Sequence, residues 1–194
     1  MQTQKIYIFN GTDKNLDSML VSTLSGINNI VPLDPILVNN PRRYLLKHIA
    51  KSLDPETKEV IAPDFLARFH NAYFRRDKSG SGKVIFLEGD AVCGGGVLGV
   101  ANEIKYGGYV VISKKTLADE VLAKDVLRHE MGHMFGLKHC TKDPFCVMKE
   151  SRSLCESIFF VYKRLDENSP IYCPSCEDAI KDSIGANREI LEVA

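Results

Sequence analysis

No stretch of this chain approaches the roughly 18 consecutive apolar residues that a membrane-spanning helix needs. Met1 to Phe9 also lacks the charged-then-apolar layout of a secretory leader. A cytoplasmic setting without a membrane partner is therefore expected. Net charge is lacking too, since Lys plus Arg number 25 and Asp plus Glu number 25. Without a basic face or a long block of one sign, no nucleic-acid partner, anionic lipid or acidic substrate is favoured. There are no internal repeats. Histidine is scarce, at five residues, so its placement carries information.

What remains is an ordinary globular composition, with 44% hydrophobic and 26% charged residues. At 194 residues, one domain spanning 1–194 is expected, acting as a monomer. Six cysteines could form disulfides in a secreted chain. In a chain without a leader, cysteines beside histidines point instead to metal binding.

The patterning predicts an α+β fold. Lys5 to Phe9 is a β-branched and aromatic run that ends at Asn10-Gly11, and it reads as a buried first strand. A helix around Leu16 to Leu24 follows. Pro35 to Val38 reads as a second strand, and Asn40-Pro41 as the cap and first turn of a helix reaching about Leu53. Pro63 opens a further helix that carries Phe65, Phe69, Ala72 and Tyr73 at helical spacing. Arg75 to Lys83 reads as a polar loop.

Val84 to Leu87, Val97 to Ile104 and Tyr109 to Ser113 read as three more strands. The last two lie at hairpin spacing, which places one antiparallel strand in an otherwise parallel five-stranded sheet. Thr116 with Asp119 resembles a capping box that starts a helix from about Leu117 to Leu137, and Gly136 stands where that helix should stop. A short helix is expected from Pro174 to about Ile184, with Gly185 behind it.

Three of the five histidines fall within eleven residues, His129-Glu-Met-Gly-His133-Met-Phe-Gly136-Leu-Lys-His139. Positions i and i+4 share a helix face, so His129 and His133 can both direct a ring nitrogen at one ion. A third ligand farther up a straight helix could not reach that ion. Gly136 permits a sharp turn that swings His139 back as the third. Three neutral imidazoles leave zinc an open position for water, as a catalytic site requires and a structural site does not. Glu130, beside His129, would then serve as general base.

His129-Glu-x-x-His133-x-x-Gly136-x-x-His139 resembles the metzincin motif. Its continuation, Cys140, then Cys146-Val-Met148, then Cys173-Pro-Ser-Cys176, narrows the resemblance to archaemetzincins. The likeness is carried by His129 to Cys176, and residues 1 to 80 hold no family-specific signal. It implies a zincin-like fold, a peptide or protein substrate, and two zinc ions. One ion is catalytic, on His129, His133 and His139. The other is structural, on Cys140, Cys146, Cys173 and Cys176. It also implies an N-terminal subdomain, 1–137, and a C-terminal subdomain, 138–194, with Met148 forming the turn beneath the catalytic zinc. The edge strand that receives an extended substrate would lie within Val97 to Ile104. Five residues separate Cys140 from Cys146, where the archaemetzincin pattern has four.

Several alternatives stay open at this level. Cys155 could replace one of the four thiols, and Cys173 and Cys176 could form a redox pair. Cys93 could act as a latency thiolate or as a small buried residue. Tyr162 or Tyr172 could hydrogen-bond the reacting carbonyl. A second class of function also fits the motif, namely a zinc-stabilised protein that binds peptides but cleaves them weakly or not at all.

Overall fold

The computed structural model describes residues 3–75, 81–89, 91–92, 99–102, 108–150 and 171–192. Its centre is a five-stranded sheet in the order β2-β1-β4-β7-β6. The strands are β1 (Gln4–Asn10), β2 (Leu33–Leu37), β4 (Gly82–Phe86), β6 (Gly99–Asn102) and β7 (Tyr109–Ile112). All pairings are parallel except β6 with β7, where Val100 faces Val111 and Ala101 faces Val110. The expected α+β class, with a mostly parallel sheet and one antiparallel edge strand, is the observed one. Two residue pairs escape the sequence pattern: β3 (Val60–Ile61) and β5 (Ala91–Val92) form a separate parallel ladder.

Period-two alternation along the strands builds a core on each face of the sheet. Ile6, Ile8, Val84, Phe86, Val110 and Ile112 join the larger core, with α1 (Asp17–Asn28), α4 (Glu120–Met134) and the cysteines. The residues between them, Phe9, Ile85, Tyr109 and Val111, face the other way. They pack with Leu45 of α2 (Pro41–Ile49) and with Phe65 and Phe69 of α3 (Ala62–Tyr73). Helices therefore cover both faces, which is why the central strand β4 is buried along its whole length.

The two edges of the sheet differ. On β2 the Leu33 N–H is taken by Asn28 Oδ1 at 2.7 Å, and Pro35 has no N–H to offer. This edge is blunted against further pairing. At the other edge, no described strand pairs with the outer side of β6, and α4 packs against β6 and β7.

Several boundaries depart from expectation for local reasons. Thr116 does not cap the main helix, because its hydroxyl lies 3.2 Å from Ser113 Oγ and it opens a single 3₁₀ turn, Thr116–Ala118. The cap is Asp119, whose carboxylate accepts from the Leu122 N–H at 2.9 Å, a bond worth about 0.5–2 kcal/mol to the helix. Asn40 adopts a left-handed conformation (φ 51°) without a side-chain cap bond, and α2 ends at Ile49. Gly82 and Lys83 belong to β4 and not to a loop. The last helix, α5 (Pro174–Glu192), continues through Gly185. The turn of the β6–β7 hairpin, 103–107, lies outside the described residues.

Candidate active site

The fifteen residues of α4 carry His129, Glu130 and His133. The helix then stops by a Schellman turn. Gly136 takes φ 88°, its N–H donates to His133 O, and the Leu137 N–H reaches back to Gly132 O, both at 2.9 Å. A side chain at 136 would strain that turn. The same turn leaves Leu137 O 2.7 Å from His133 Nδ1. Helix termination and imidazole orientation thus come from one backbone feature.

His129 is oriented in a similar way, with Nδ1 2.7 Å from Val147 O. A carbonyl can only accept, so both Nδ1 atoms carry the proton, and both Nε2 atoms are left to offer a lone pair. Those Nε2 atoms lie 3.1 Å apart, close to the roughly 3.3 Å that two imidazoles at about 2.0–2.1 Å from one tetrahedral zinc would show. His139 closes the group, its ring centroid 5.4 Å from that of His129 and 4.8 Å from that of His133. One ligand atom from each of the three lies within 4.8 Å of the others. The donor set therefore fits a zinc ion.

Burial, opposed by the bond to Leu137 O and assisted by the neighbouring His139, lowers the His133 pKa from its ordinary value. The neutral form that binds metal is thereby favoured. His139 stays exposed and faces Glu150 Oε1 at 3.9 Å. Glu130 is 8% exposed, beside the ligands on the same helix.

The floor of the site depends on a glycine that the sequence reading passed over. A Cβ on Gly132 would stand 2.2 Å from Met148 Sδ and 3.2 Å from Tyr172 Cε1. Glycine is required there so that Met148, fully buried, can press against the helix between the two histidines. Met148 therefore packs against α4 at Gly132, next to His133. Tyr172 does not fit the suggested role at a reacting carbonyl. It is fully buried, and its hydroxyl donates to Arg128 O at 2.6 Å. Burial also raises its pKa. Tyr162, Cys93 and Cys155 lie outside the described residues.

The second cluster gathers Cys140, Cys146, Cys173 and Cys176, all buried and all free of disulfides. Cys140 Sγ lies 3.8 Å from Cys173 Sγ, and Cys146 Sγ lies 3.8 Å from Cys176 Sγ. Four thiolates about 2.3 Å from a tetrahedral zinc stand about 3.8 Å apart, so this donor set also fits. Burial pushes the Cys146 thiol up to about 11 and raises Cys176 as well. Burial opposes ionisation at Cys173 too, but hydrogen bonds with Ser175 Oγ and the Cys176 N–H bring it down to about 7. Ionisation is thus favoured at Cys173, whereas a nearby cation would offset the cost of burying charge at Cys146 and Cys176.

Comparison with known proteins returns the family suggested by the motif. The model of Peptidase family M54 matches residues 96–182, the stretch that holds both clusters. An archaemetzincin from Pyrobaculum aerophilum is 40% identical over 60 residues, 31% of this chain and 32% of that protein. One from Nanoarchaeum equitans is 39% identical over 69 residues, 36% of this chain and 34% of that protein. The matched segments span about a third of the length of these curated relatives. In fold the likeness is broader. The crystal structure of archaemetzincin from Methanopyrus kandleri matches with a TM-score of 0.65 at 21% identity, covering 94% of this chain and 96% of that one. That from Archaeoglobus fulgidus, complexed with malonate, matches with a TM-score of 0.57 at 21% identity, covering 91% and 99%. The resemblance to archaemetzincins therefore holds.

Proposed function

We propose, with the match of residues 96–182 to Peptidase family M54 as the premise, that this chain is a zinc metallopeptidase that hydrolyses peptide bonds. His129, His133 and His139 hold the catalytic zinc, and Glu130 is the general base. Cys140, Cys146, Cys173 and Cys176 hold a second, structural zinc. The observation that carries the reading is the orientation of His129 and His133. Each ring is turned by a backbone carbonyl so that the two Nε2 atoms converge at 3.1 Å.

Zinc bound to three imidazoles supplies a Lewis acid and lowers the pKa of a water towards about 7. The chain's own residues do the rest. Glu130 takes the proton of the attacking water and delivers it to the departing amine. Met148 and Gly132 hold the two histidines of α4 on a close-packed floor. The outer side of β6 hydrogen-bonds an extended substrate. It is the better of the two edges for this, because β2 is blunted at Leu33 and Pro35.

In this proposal residues 1–194 form one metallopeptidase domain, with subdomains at 1–137 and 138–194, acting as a monomer in the cytoplasm without nucleic-acid or membrane partners. Among the described residues, no helix is long and apolar enough to cross a membrane.

The test is to incubate the zinc-loaded chain with a complex peptide mixture and to read new termini by mass spectrometry, with Glu130→Ala alongside. Cleavage by the wild-type protein that the variant loses is the expected result. Cleavage by neither, with zinc bound, would favour a peptide-binding protein. Cleavage that survives in the variant would remove Glu130 from its role.

A further inference from the structure

We propose that Tyr172 is a positioning residue that couples the two clusters, so that an ion on the four thiols tightens the hold of the three imidazoles on theirs. This rests on the two-metal reading above and deepens it.

Three consecutive residues, Ile171, Tyr172 and Cys173, each reach a different part of the machinery. Ile171 O accepts the Val147 N–H at 3.3 Å, and Val147 O in turn orients His129 through Nδ1 at 2.7 Å. The Tyr172 hydroxyl donates to Arg128 O at 2.6 Å, one residue before His129. The Cys173 N–H donates to Cys146 Sγ at 3.4 Å, and Cys173 Sγ lies 3.8 Å from Cys140 Sγ. Cys140 follows His139 directly, and its N–H donates to Met148 O at 2.7 Å.

An ion on the four thiols would fix the position of Cys173 and, through its neighbours, the backbone ahead of His129 and the carbonyl that turns the His129 ring. Without that anchor, Val147 O is free to shift, and a ligand ring loses its orientation. The ring of Tyr172 lies close to the helix beside Gly132, where a Cβ would stand 3.2 Å from Tyr172 Cε1.

The hydroxyl itself adds little to packing. As a helix carbonyl, Arg128 O already serves an N–H four residues on, so removing the phenolic bond leaves no orphaned helix group. Its loss should therefore register in metal affinity more than in stability, which separates positioning from space-filling.

The experiment uses the full chain and Tyr172→Phe, with zinc and cobalt(II) as probes. Zinc affinity at the histidines is measured by chelator competition while the thiols are filled. Cobalt(II) absorption reports the thiol cluster separately. The expected result is a zinc affinity at the histidines about tenfold weaker, in the range seen when an outer partner of a metal ligand is lost, with unchanged thiolate-to-cobalt bands. Wild-type affinity at the histidines would overturn the proposal, and so would an equal loss at both clusters, which would indicate general loosening.

Should Tyr172→Phe fail to fold, linkage supplies a second measurement, because coupling between two ligands is reciprocal. Cobalt(II) affinity at the thiols should be about tenfold higher in the wild-type protein with zinc on its histidines than in His133→Ala. Equal affinities would overturn the coupling. A wild-type histidine cluster that binds no zinc at all would instead bring down the proposed function, and the inference with it.

Discussion

The two clusters share one stretch of backbone and differ in burial and in donor count. The cysteines are buried without exception, whereas His129 and His133 are half-buried and His139 is exposed. Four thiols fill a tetrahedral shell and leave no room for another molecule, while three imidazoles leave one position open. Between them runs Cys146-Val147-Met148, which contributes a thiol to one cluster and to the other a carbonyl for His129 and a floor residue. In the proposed function, ligand count and burial, more than the identity of the metal, separate a structural site from a catalytic one.

The largest effect should come from breaking the closed cluster. Cys173→Ser is expected to unfold the chain or to remove most of its thermal transition, measured by far-UV circular dichroism. The loss approaches the roughly 10–16 kcal/mol that a structural zinc can contribute, comparable to the whole stability of a domain. Next comes the open cluster. Glu130→Gln should cost about 10²–10⁴-fold in peptide cleavage rate while zinc content stays at the wild-type level. A fold that survived the first change and collapsed with the second would reverse the comparison.

Gly132→Ala sharpens it further. A Cβ 2.2 Å from Met148 Sδ forces the floor away from the histidines, at a cost of about 1–3 kcal/mol in stability by urea unfolding. Zinc should weaken at the histidines before it weakens at the thiols.

The smallest expected effect is on pH dependence. Burial holds His133 below its ordinary pKa, so on acidification the unfolded chain takes up this proton before the folded one does. In metal-free protein, stability should be steady above about 6.5, fall as the pH drops below it, and level off beneath the folded-state value. His133→Asn should flatten that part of the urea midpoint profile.

Much of this was legible in the sequence, for identifiable reasons. The strands at Lys5, Pro35, Val84 and Tyr109 announce themselves through β-branched runs between turn residues, and Gly136 through its place after the last helical histidine. The ladder of Val60–Ile61 with Ala91–Val92 could not be read, because two residues carry no periodicity and their pairing is purely tertiary. Thr116 and Asp119 both have side chains that can cap, and sequence alone does not choose between them; the contact of Thr116 with Ser113 leaves the cap to Asp119. Lys83 looked like loop and is 2% exposed within β4, its charge 4.8 Å above the ring centre of Phe74.

At the site, the ligand types and their spacing were written in side chains. The groups that orient them, Val147 O and Leu137 O, belong to the backbone, which every residue possesses and no sequence pattern marks. Gly132 was the one readable clue passed over. A glycine inside a helix, between two histidines that share a face, signals close approach by another part of the chain.

The most direct test of this division of labour is a crystal structure of the zinc-loaded chain with an anomalous map at the zinc edge. Two peaks are expected. One lies about 2.3 Å from the four sulfurs of Cys140, Cys146, Cys173 and Cys176, and the other about 2.0–2.1 Å from the nitrogens of His129, His133 and His139 with no sulfur near it. A single peak, or a histidine-side peak that also takes a sulfur ligand and so lacks an open position, would contradict it.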